Sequence, residues 1–239
     1  MQVSTRALVF SAIKYAEADL IVSCFTEDFG LKSYLLRGVL KSKKGKLRAS
    51  LFQPLTQLQL EAYHKDRGTL ERISEAKVLQ PYQSLHTDVV KSSVVLFLAE
   101  VLKNSIQEEE ANPVLFEYIS SALHWLDLHD RIANFPVLFL LKLTTHLGFY
   151  PDISGAHLPY FNLLEGNFEL EPVGDYSETG EAVETIKGFF GINFDALEQK
   201  KTSKNQRLQA LNLILTYYQL HLQTFKKPKS LLVLNQLFN

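Results

Sequence analysis

A segment of eight residues contains five basic side chains, and their spacing suits contacts with phosphate. The sequence VLKSKKGKLRASLFQPL, residues 39–55, is basic in its first half and apolar in its second. The basic residues of this segment are Lys41, Lys43, Lys44, Lys46 and Arg48. Grouped cations of this kind can contact a nucleic-acid backbone and release its condensed counterions, with little preference for sequence.

The chain around this segment is also basic. Lys32 and Arg37 precede it, and residues 31–50 contain seven basic residues and no acidic one. Tyr34 and Phe52 are aromatic neighbours that either stack on bases or lie in the core. The charged run itself has two interpretations, a phosphate-binding surface or a solvated loop without a partner.

A second basic cluster lies at the start of the last long predicted helix. It comprises Lys200, Lys201, Lys204 and Arg207. Because the helix macrodipole disfavours cations at this end, the cluster is a candidate binding site as well as a candidate solvated surface. Three further lysines, at positions 226, 227 and 229, follow the end of the same helix, where cations complement the dipole.

One short stretch offers metal-ligand chemistry. The sequence HWLDLHD contains His124, Asp127, His129 and Asp130. On a helix the first two are neighbours while His129 points elsewhere, so at most two ligands meet locally. A metal-dependent hydrolase is therefore a minor alternative.

The stretch GVLKSKKGK is not a phosphate-binding P-loop, because its glycines are too far apart and Leu47 follows the last lysine. We therefore expect no enzyme activity, no cofactor and no bound metal.

Charge is distributed unevenly although the net charge is only −1. Residues 1–80 have an excess of five positive charges, residues 81–199 an excess of thirteen negative charges, and residues 200–239 seven positive charges and no acid. Local potential of this kind steers a polyanion toward the two ends.

The single cysteine, Cys24, excludes an internal disulfide and indicates a reducing, cytoplasmic location. We see no signal peptide, and the most apolar stretches are shorter than the roughly 20 residues of a membrane span.

The periodicity of the chain changes near residue 80. Five short segments with strand periodicity end at Leu79, with the basic segment between the third and the fourth. This pattern predicts a five-stranded OB-type β-barrel in residues 1–80. Helical periodicity follows in residues 81–239, which we predict to be a mainly α-helical domain with an irregular excursion at about 148–176. The predicted class is α+β.

Local signals place the helices. Asn112 is a predicted N-cap followed by Pro113, and Ser203 with Gln206 forms a predicted capping box. In the last long helix, apolar residues at spacings of three and four form one stripe, namely Leu208, Leu211, Leu215, Tyr218, Leu222 and Phe225.

The sequence resembles the RecO family of bacterial recombination mediators. The resemblance rests on RALVFSAIKYAEADLIVSCFTEDFGLKSYLLRGVLKSK, on LFQPLTQLQLEAYHKDRGTLERISEAKVLQPYQSL and on LLKLTTHLGFYPD. It is a profile of spaced residues that runs over nearly the whole chain. The glycines and prolines of this profile are Gly30, Gly38, Pro54, Gly148 and Pro151.

This resemblance implies an N-terminal OB domain, a helical domain and a non-enzymatic role in the RecF pathway of DNA repair. It implies binding to single- and double-stranded DNA, strand annealing, association with RecR, and help for RecA in replacing single-stranded-DNA-binding protein at the nucleoid. The basic residues from Lys32 to Arg48 match the place of the family's basic OB surface. Some relatives receive the acidic tail of single-stranded-DNA-binding protein on the helical domain, where Arg131 and Lys142 are our candidate contacts.

One departure from the family concerns metal. Many relatives have four zinc-binding cysteines just after the segment that here reads GFYPD, whereas residues 148–176 contain none. We therefore expect no zinc and predict that the excursion is held by its aromatic residues. These are Phe149, Tyr150, Tyr160, Phe161 and Phe168. A different OB module, for RNA or for protein interaction, remains the main alternative to a mediator.

Overall fold

A computed structural model describes residues 1–41, 47–65, 70–107 and 110–237. The chain divides into two compact units, residues 1–127 and 128–239. The predicted α+β class is confirmed, because an antiparallel sheet comes first and helices dominate afterwards. The domain boundary near residue 80 stays a prediction.

The first unit begins with a five-stranded antiparallel sheet of order β3-β2-β1-β4-β5. Its strands are β1 (Gln2–Lys14), β2 (Leu20–Thr26), β3 (Gly30–Leu36), β4 (Gln57–Tyr63) and β5 (Arg72–Val78). The long first strand pairs with both β2 and β4, and its register shifts between Val9 and Ser11. Such a bulge bends the strand and increases its local twist.

The sheet closes on itself where β3 meets the start of β5. Tyr34 forms a parallel bridge with Glu71. The amide of Leu35 donates to the carbonyl of Glu71 at 3.0 Å, and the amide of Glu71 donates to the carbonyl of Ser33 at 2.8 Å. This closure makes the sheet an OB-type barrel, as predicted.

The barrel core follows from the alternation of apolar residues along the strands. Ala7, Val22, Leu58 and Leu60 are fully buried. Cys24 is also fully buried, and the loss of solvation raises the pKa of its thiol. A buried thiol with a raised pKa is a poor nucleophile and behaves as a small apolar side chain.

A glycine turn connects β3 to the basic segment. Gly38 has a φ of +69°, a backbone conformation that costs little only for glycine. Its amide donates to the Asp19 carboxylate at 2.8 Å, and the amide of Leu40 donates to the carbonyl of Ala18 at 2.9 Å. The start of the basic segment is therefore attached to the loop between β1 and β2.

Two long helices follow the barrel, α1 (Val89–Ser105) and α2 (Pro113–Leu128). The Asp88 carboxylate caps α1 by accepting a hydrogen bond from the amide of Lys91. The predicted cap of α2 is confirmed, because the Asn112 Oδ1 accepts from the amide of Leu115 at 3.0 Å. Arg6 on β1 forms ion pairs with Glu27 and with Glu117 of α2, so the helix is tied to the barrel.

The second unit is mainly helical, with one small sheet. Its helices are α3 (Phe135–His146), α4 (Glu181–Lys187), α5 (Lys204–His221) and α6 (Leu231–Leu237). The predicted capping box of α5 is confirmed by reciprocal bonds between Ser203 and Gln206. α5 ends at His221, so Phe225 lies beyond the helix, where it is buried against Tyr218. The short helix α6 was not predicted.

The excursion at 148–176 contributes two strands to a three-stranded sheet that the sequence did not indicate, and the third strand follows directly after it. Its strands are β6 (Tyr160–Asn162), β7 (Asn167–Glu169) and β8 (Ser177–Glu178), in the order β7-β6-β8. Phe161 and Phe168 stack with ring centres 4.8 Å apart. Phe149 packs on the rings of Tyr217 and Tyr218. Aromatic residues of the excursion thus pack on one another and on α5.

Within the described part of the chain, no helix combines the length and the apolar character that crossing a membrane requires.

Candidate nucleic-acid interface

The predicted basic segment lies partly within the described residues. Lys43, Lys44 and Lys46 lie outside them. Lys41 and Arg48 flank that gap, and both are exposed. Arg37 is exposed just before the turn at Gly38, while Lys32 on β3 is half-buried. Four of the predicted cations therefore lie within the described residues, one on β3 and three on the connection between β3 and β4.

The two aromatic neighbours of the segment belong to the core. Tyr34 is fully buried, and its hydroxyl lies 2.9 Å from the Nε2 of His64. Phe52 is buried at the end of the 3₁₀ turn Ala49–Phe52. Neither ring can stack on a base in this structure, so the core interpretation of both residues is correct.

Lys41 is held beside an acidic residue. Its ammonium lies 2.8 Å from the Glu17 carboxylate, and both side chains are mostly exposed. Exposed pairs of this kind stabilise a fold by at most about 1 kcal/mol, because water and salt screen them. The pair therefore positions Lys41 but leaves its charge able to interact with a phosphate.

Glu17→Gln should therefore leave stability within about 0.5 kcal/mol of wild type, as is usual for exposed pairs. It should strengthen single-stranded DNA binding by up to about fivefold, since a charge about 4 Å away in water is worth about 1 kcal/mol. Fluorescence anisotropy at low salt measures the change. Glu110→Gln removes the same charge from another exposed position and should leave affinity unchanged. An unaltered affinity in Glu17→Gln would argue against a phosphate contact by Lys41.

A cleft of about 530 Å³ lies where β3 and β5 meet. Its apolar lining comes from Leu35, Leu36, Leu47, Leu70 and Ile73. Three cations, Arg37, Lys65 and Arg72, also line it, and all three are exposed. We call this site, with its three cations, the basic cleft.

The acid in the basic cleft is engaged with the backbone. Glu71 is 5% exposed, and both of its carboxylate oxygens accept from the amide of Lys65, at 3.0 and 2.9 Å. Glu71 thereby fixes the chain that presents Lys65. The three positive charges of the cleft outnumber its one negative charge, and all three cations are exposed.

Sequence reasoning missed Lys65 and Arg72. They stand well apart from the dense basic run, and only the parallel contact between β3 and β5 brings them to Arg37. The available signal was the OB pattern itself, because closure of that barrel joins the third strand to the fifth. A basic residue at each end of the loop before β5 then becomes a neighbour of Arg37.

The second predicted cluster is used partly for packing. The Lys200 ammonium lies 5.4 Å from the centre of the Phe189 ring. The Arg207 guanidinium donates to the carbonyl of Thr202 at 2.7 Å, and burial lowers the pKa of Arg207. Lys201 and Lys204 are exposed. Lys200 and Arg207 thus have structural contacts, and the binding role of the cluster stays a prediction.

Arg207→Ala should lower the free energy of unfolding by about 1–2 kcal/mol, because it removes a charged hydrogen bond at the start of α5. Lys201→Ala, at an exposed neighbouring position, should change it by less than about 0.5 kcal/mol. Urea unfolding followed by circular dichroism compares the two variants. Equal free energies of unfolding would show that the Arg207 contact does not stabilise the fold.

The candidate metal ligands do not converge. The Asp127 carboxylate accepts the amides of Gln83, Ser84 and Leu85 at 2.8, 2.8 and 3.1 Å. The Nδ1 of His124 lies 2.7 Å from the Nε2 of Gln80. Across residues 1–41, 47–65, 70–107 and 110–237, no three His, Cys, Asp or Glu side chains are grouped so as to hold a metal ion. The hydrolase alternative loses its ligand set, because Asp127 is a structural residue.

The predicted partner contacts lie on the second unit. Arg131 is exposed. Lys142 on α3 is half-buried, and its ammonium lies 3.4 Å from the Asn193 Oδ1. Burial and the nearby Lys142 charge lower the pKa of His146. Binding of an acidic tail here stays a prediction.

A closed five-stranded barrel with a basic cleft, followed by a helical region, defines an OB-fold protein with an attached helical part. The family model for the N terminus of recombination protein O matches residues 1–82, and that for its C terminus matches residues 86–231. The chain therefore belongs to the RecO family, as the resemblance predicted.

Full-length relatives support the same assignment. DNA repair protein RecO of Christiangramia forsetii is 50% identical over 238 residues, with all of both chains covered. The protein of the same name from Flavobacterium psychrophilum is 46% identical over 240 residues, again with all of both chains covered. That of Bacteroides fragilis is 35% identical over 240 residues and 98% of each chain. The family places the chain in DNA repair and recombination.

Proposed function

We propose that this protein is a non-enzymatic, DNA-binding recombination mediator that holds the DNA backbone on its OB barrel. The observation that carries the proposal is the basic cleft, where Arg37, Lys65 and Arg72 line one cavity together with apolar side chains. Lys32, Lys41 and Arg48 are further cations of the same unit, and Lys201 and Lys204 are exposed cations of the second unit that could bind DNA separately. Phosphate contacts of this kind bind single- and double-stranded DNA without reading their sequence.

The cleft suits a single strand because it combines charge with apolar surface. The cations can neutralise phosphates, and the apolar lining can accept a base that a duplex would keep stacked. Tyr63 on β4 pairs with Arg72 on β5, so the two side chains share one face of the sheet. Tyr63 is 44% exposed. Its ring supplies a platform for a base whose phosphate lies on Arg72.

A mediator needs no chemical step on DNA. Its work is to bring complementary strands together and to help RecA replace single-stranded-DNA-binding protein, in association with RecR. The excess of negative charge in residues 81–199 repels DNA and restricts it to the basic surfaces. The acidic tail of single-stranded-DNA-binding protein would then meet Arg131 and Lys142 rather than compete for the barrel. This work takes place in the cytoplasm, at the nucleoid.

The test is anisotropy with labelled single-stranded DNA, duplex DNA and RNA of one sequence, followed by annealing of two complementary DNA strands. We expect DNA binding and accelerated annealing without nucleotide or metal. Preference for RNA without annealing would support the alternative OB module. Strand cleavage that depends on a divalent metal would support the hydrolase. Absence of binding to any of the three would overturn the proposal.

A further inference from the structure

The outside of the barrel has a partly exposed face formed by β1, β2 and β3. These strands lie side by side, and their registers align two rows of side chains across all three. Directly opposed residues of antiparallel strands share one face of the sheet. One row is apolar and the other consists of serines, and their members are Ile13, Ile21 and Leu35, and Ser11, Ser23 and Ser33. We call these six residues, with Tyr15 just after β1, the outer sheet face.

The two rows point away from the barrel core. Along β2 and β3 the residues that alternate with the rows are buried in that core, namely Leu20, Val22, Tyr34 and Leu36. Successive side chains of a strand point to opposite sides of a sheet, so the rows lie on the outside. Ile13 is 54% exposed and Tyr15 is 64% exposed. The outer sheet face is therefore open to solvent at its β1 end.

The outer sheet face ends where α2 packs on the barrel. Phe25 follows Ile21 and Ser23 in the same alternation on β2, but it is only 1% exposed. Its ring packs on Phe10 and on Phe116 of α2. The helix thus buries this end of the outside of the barrel, whereas the apolar row is left partly exposed. Large apolar side chains that a fold leaves exposed together mark a binding surface.

The outer sheet face is continuous with the basic cleft. Leu35 belongs to the apolar row and also lines the cleft. Arg37, two residues further along the chain, is exposed and lines the same cleft. Because neighbouring strands lie about 4.8 Å apart, the apolar row runs about 10 Å from Leu35 to Ile13. A DNA strand that leaves the cleft beside Arg37 therefore passes directly onto this face.

The chemistry of the outer sheet face suits bases rather than phosphates. None of its seven residues is charged. Aromatic rings stack on bases, and serine hydroxyls both donate and accept hydrogen bonds. Cations lie beside the tyrosine, since Lys14 precedes it and Lys41 pairs with Glu17 of the same hairpin. The other acid of the hairpin, Asp19, accepts from the amide of Gly38 at 2.8 Å.

We propose that single-stranded DNA leaving the basic cleft crosses the outer sheet face from β3 to β1, and that one of its bases stacks on Tyr15. The inference rests on the proposed DNA binding by the basic cleft and adds a base-binding site to it. The bases of a duplex are already paired and stacked, so only an unpaired strand gains affinity from this site.

Anisotropy with three labelled probes of one length tests the inference. The probes are single-stranded DNA, duplex DNA of the same sequence, and a single strand in which every nucleotide lacks its base. Tyr15→Ala should weaken binding of single-stranded DNA about fivefold to a hundredfold, the range for one lost base–aromatic stack. Its affinity for the other two probes should equal that of wild type, because neither offers an unpaired base. The salt dependence of single-stranded DNA binding should keep its slope, since no phosphate contact is lost.

Three further variants separate stacking from general effects. Tyr15→Phe keeps the ring and should bind single-stranded DNA as wild type does. Tyr176→Ala removes an exposed tyrosine from the second unit and should also bind as wild type. Ile13→Glu places a negative charge in the apolar row and should weaken binding of single-stranded DNA by about fivefold, the effect of a charge about 4 Å away in water.

The same measurements distinguish failure of this inference from failure of the proposed function. If the Arg37, Lys65 and Arg72 triple variant loses affinity while Tyr15→Ala and Ile13→Glu bind single-stranded DNA as wild type does, only the path over the outer sheet face is overturned. An equal loss for Tyr15→Ala on the strand without bases would also overturn it, because bases would then have no part in the contact. Absence of wild-type binding to single-stranded DNA would overturn both.

Discussion

Asp127→Ala should destabilise the first unit by about 3 kcal/mol, since three backbone amides, one of them buried, would lose a charged acceptor. The Asp127 carboxylate also accepts from the Ser84 hydroxyl at 3.0 Å. The Lys91 ammonium donates to the Ser84 hydroxyl and to the Asp127 carbonyl, both at 2.8 Å. This network joins α1, the segment after the barrel and the end of α2, so its loss affects three elements together.

Fluorescence of Trp125 measures this effect directly. It is the chain's single tryptophan, it lies two residues before Asp127, and it is 8% exposed. A loss of about 3 kcal/mol corresponds to a fall of about 10 °C in the Tm of a unit of this size. Asp175→Ala, which removes an exposed aspartate from the second unit, should leave the Trp125 transition unchanged. A Tm for Asp127→Ala equal to that of wild type would contradict the structural role of the carboxylate.

The hydrogen bonds of Asp127 also predict how the stability of the first unit depends on pH. Burial alone would raise the pKa of Asp127, but hydrogen bonds from Gln83, Ser84 and Leu85 outweigh it, so the pKa falls below its ordinary value of 3.8. A group with a lowered folded pKa stabilises the fold above its unfolded pKa and loses that contribution as pH falls through the folded value. The difference in stability between wild type and Asp127→Ala should therefore be constant near neutral pH and shrink below about pH 4.

The second large effect concerns the basic cleft. Changing Arg37, Lys65 and Arg72 together to Ala should weaken single-stranded DNA binding by about tenfold to a hundredfold, because three phosphate contacts are lost. The fold should survive, since all three side chains are exposed. Anisotropy at one fixed low salt concentration measures the loss.

A matched variant removes the same charge elsewhere. Lys226, Lys227 and Lys229 are exposed lysines near the C-terminal end of α5, and changing all three to Ala should alter affinity by less than about threefold, a residual effect of net charge. Equal losses in the two triple variants would mean that overall charge, rather than the cleft, determines binding.

Much of the fold could be predicted because its signals are local. Alternation along β1 to β5, the Asn112 cap of α2 and the Ser203–Gln206 capping box each depend on residues close in sequence. The strands of the excursion could not be predicted, for the same reason. Its strands have two or three residues, too few to show a period, and they are fixed by packing on α5.

The candidate site was harder to predict because its parts are distant in sequence. The basic run was visible, but Lys65 and Arg72 joined it only through the contact between β3 and Glu71. Arg207 and Asp127 looked like binding or catalytic residues because charge alone does not show a side chain's partner. Their hydrogen bonds to Thr202 and to residues 83–85 required the folded structure.

The most direct test of the central claim is the salt dependence of single-stranded DNA affinity for wild type and for the Arg37, Lys65 and Arg72 triple variant. A phosphate-binding surface predicts that log K falls linearly with log salt concentration for wild type. It also predicts a slope shallower by about 2 in the variant, because each lost contact on a single strand removes about 0.7. Parallel slopes would show that the cleft does not contact phosphate. A wild-type affinity that does not change with salt would contradict the account as a whole.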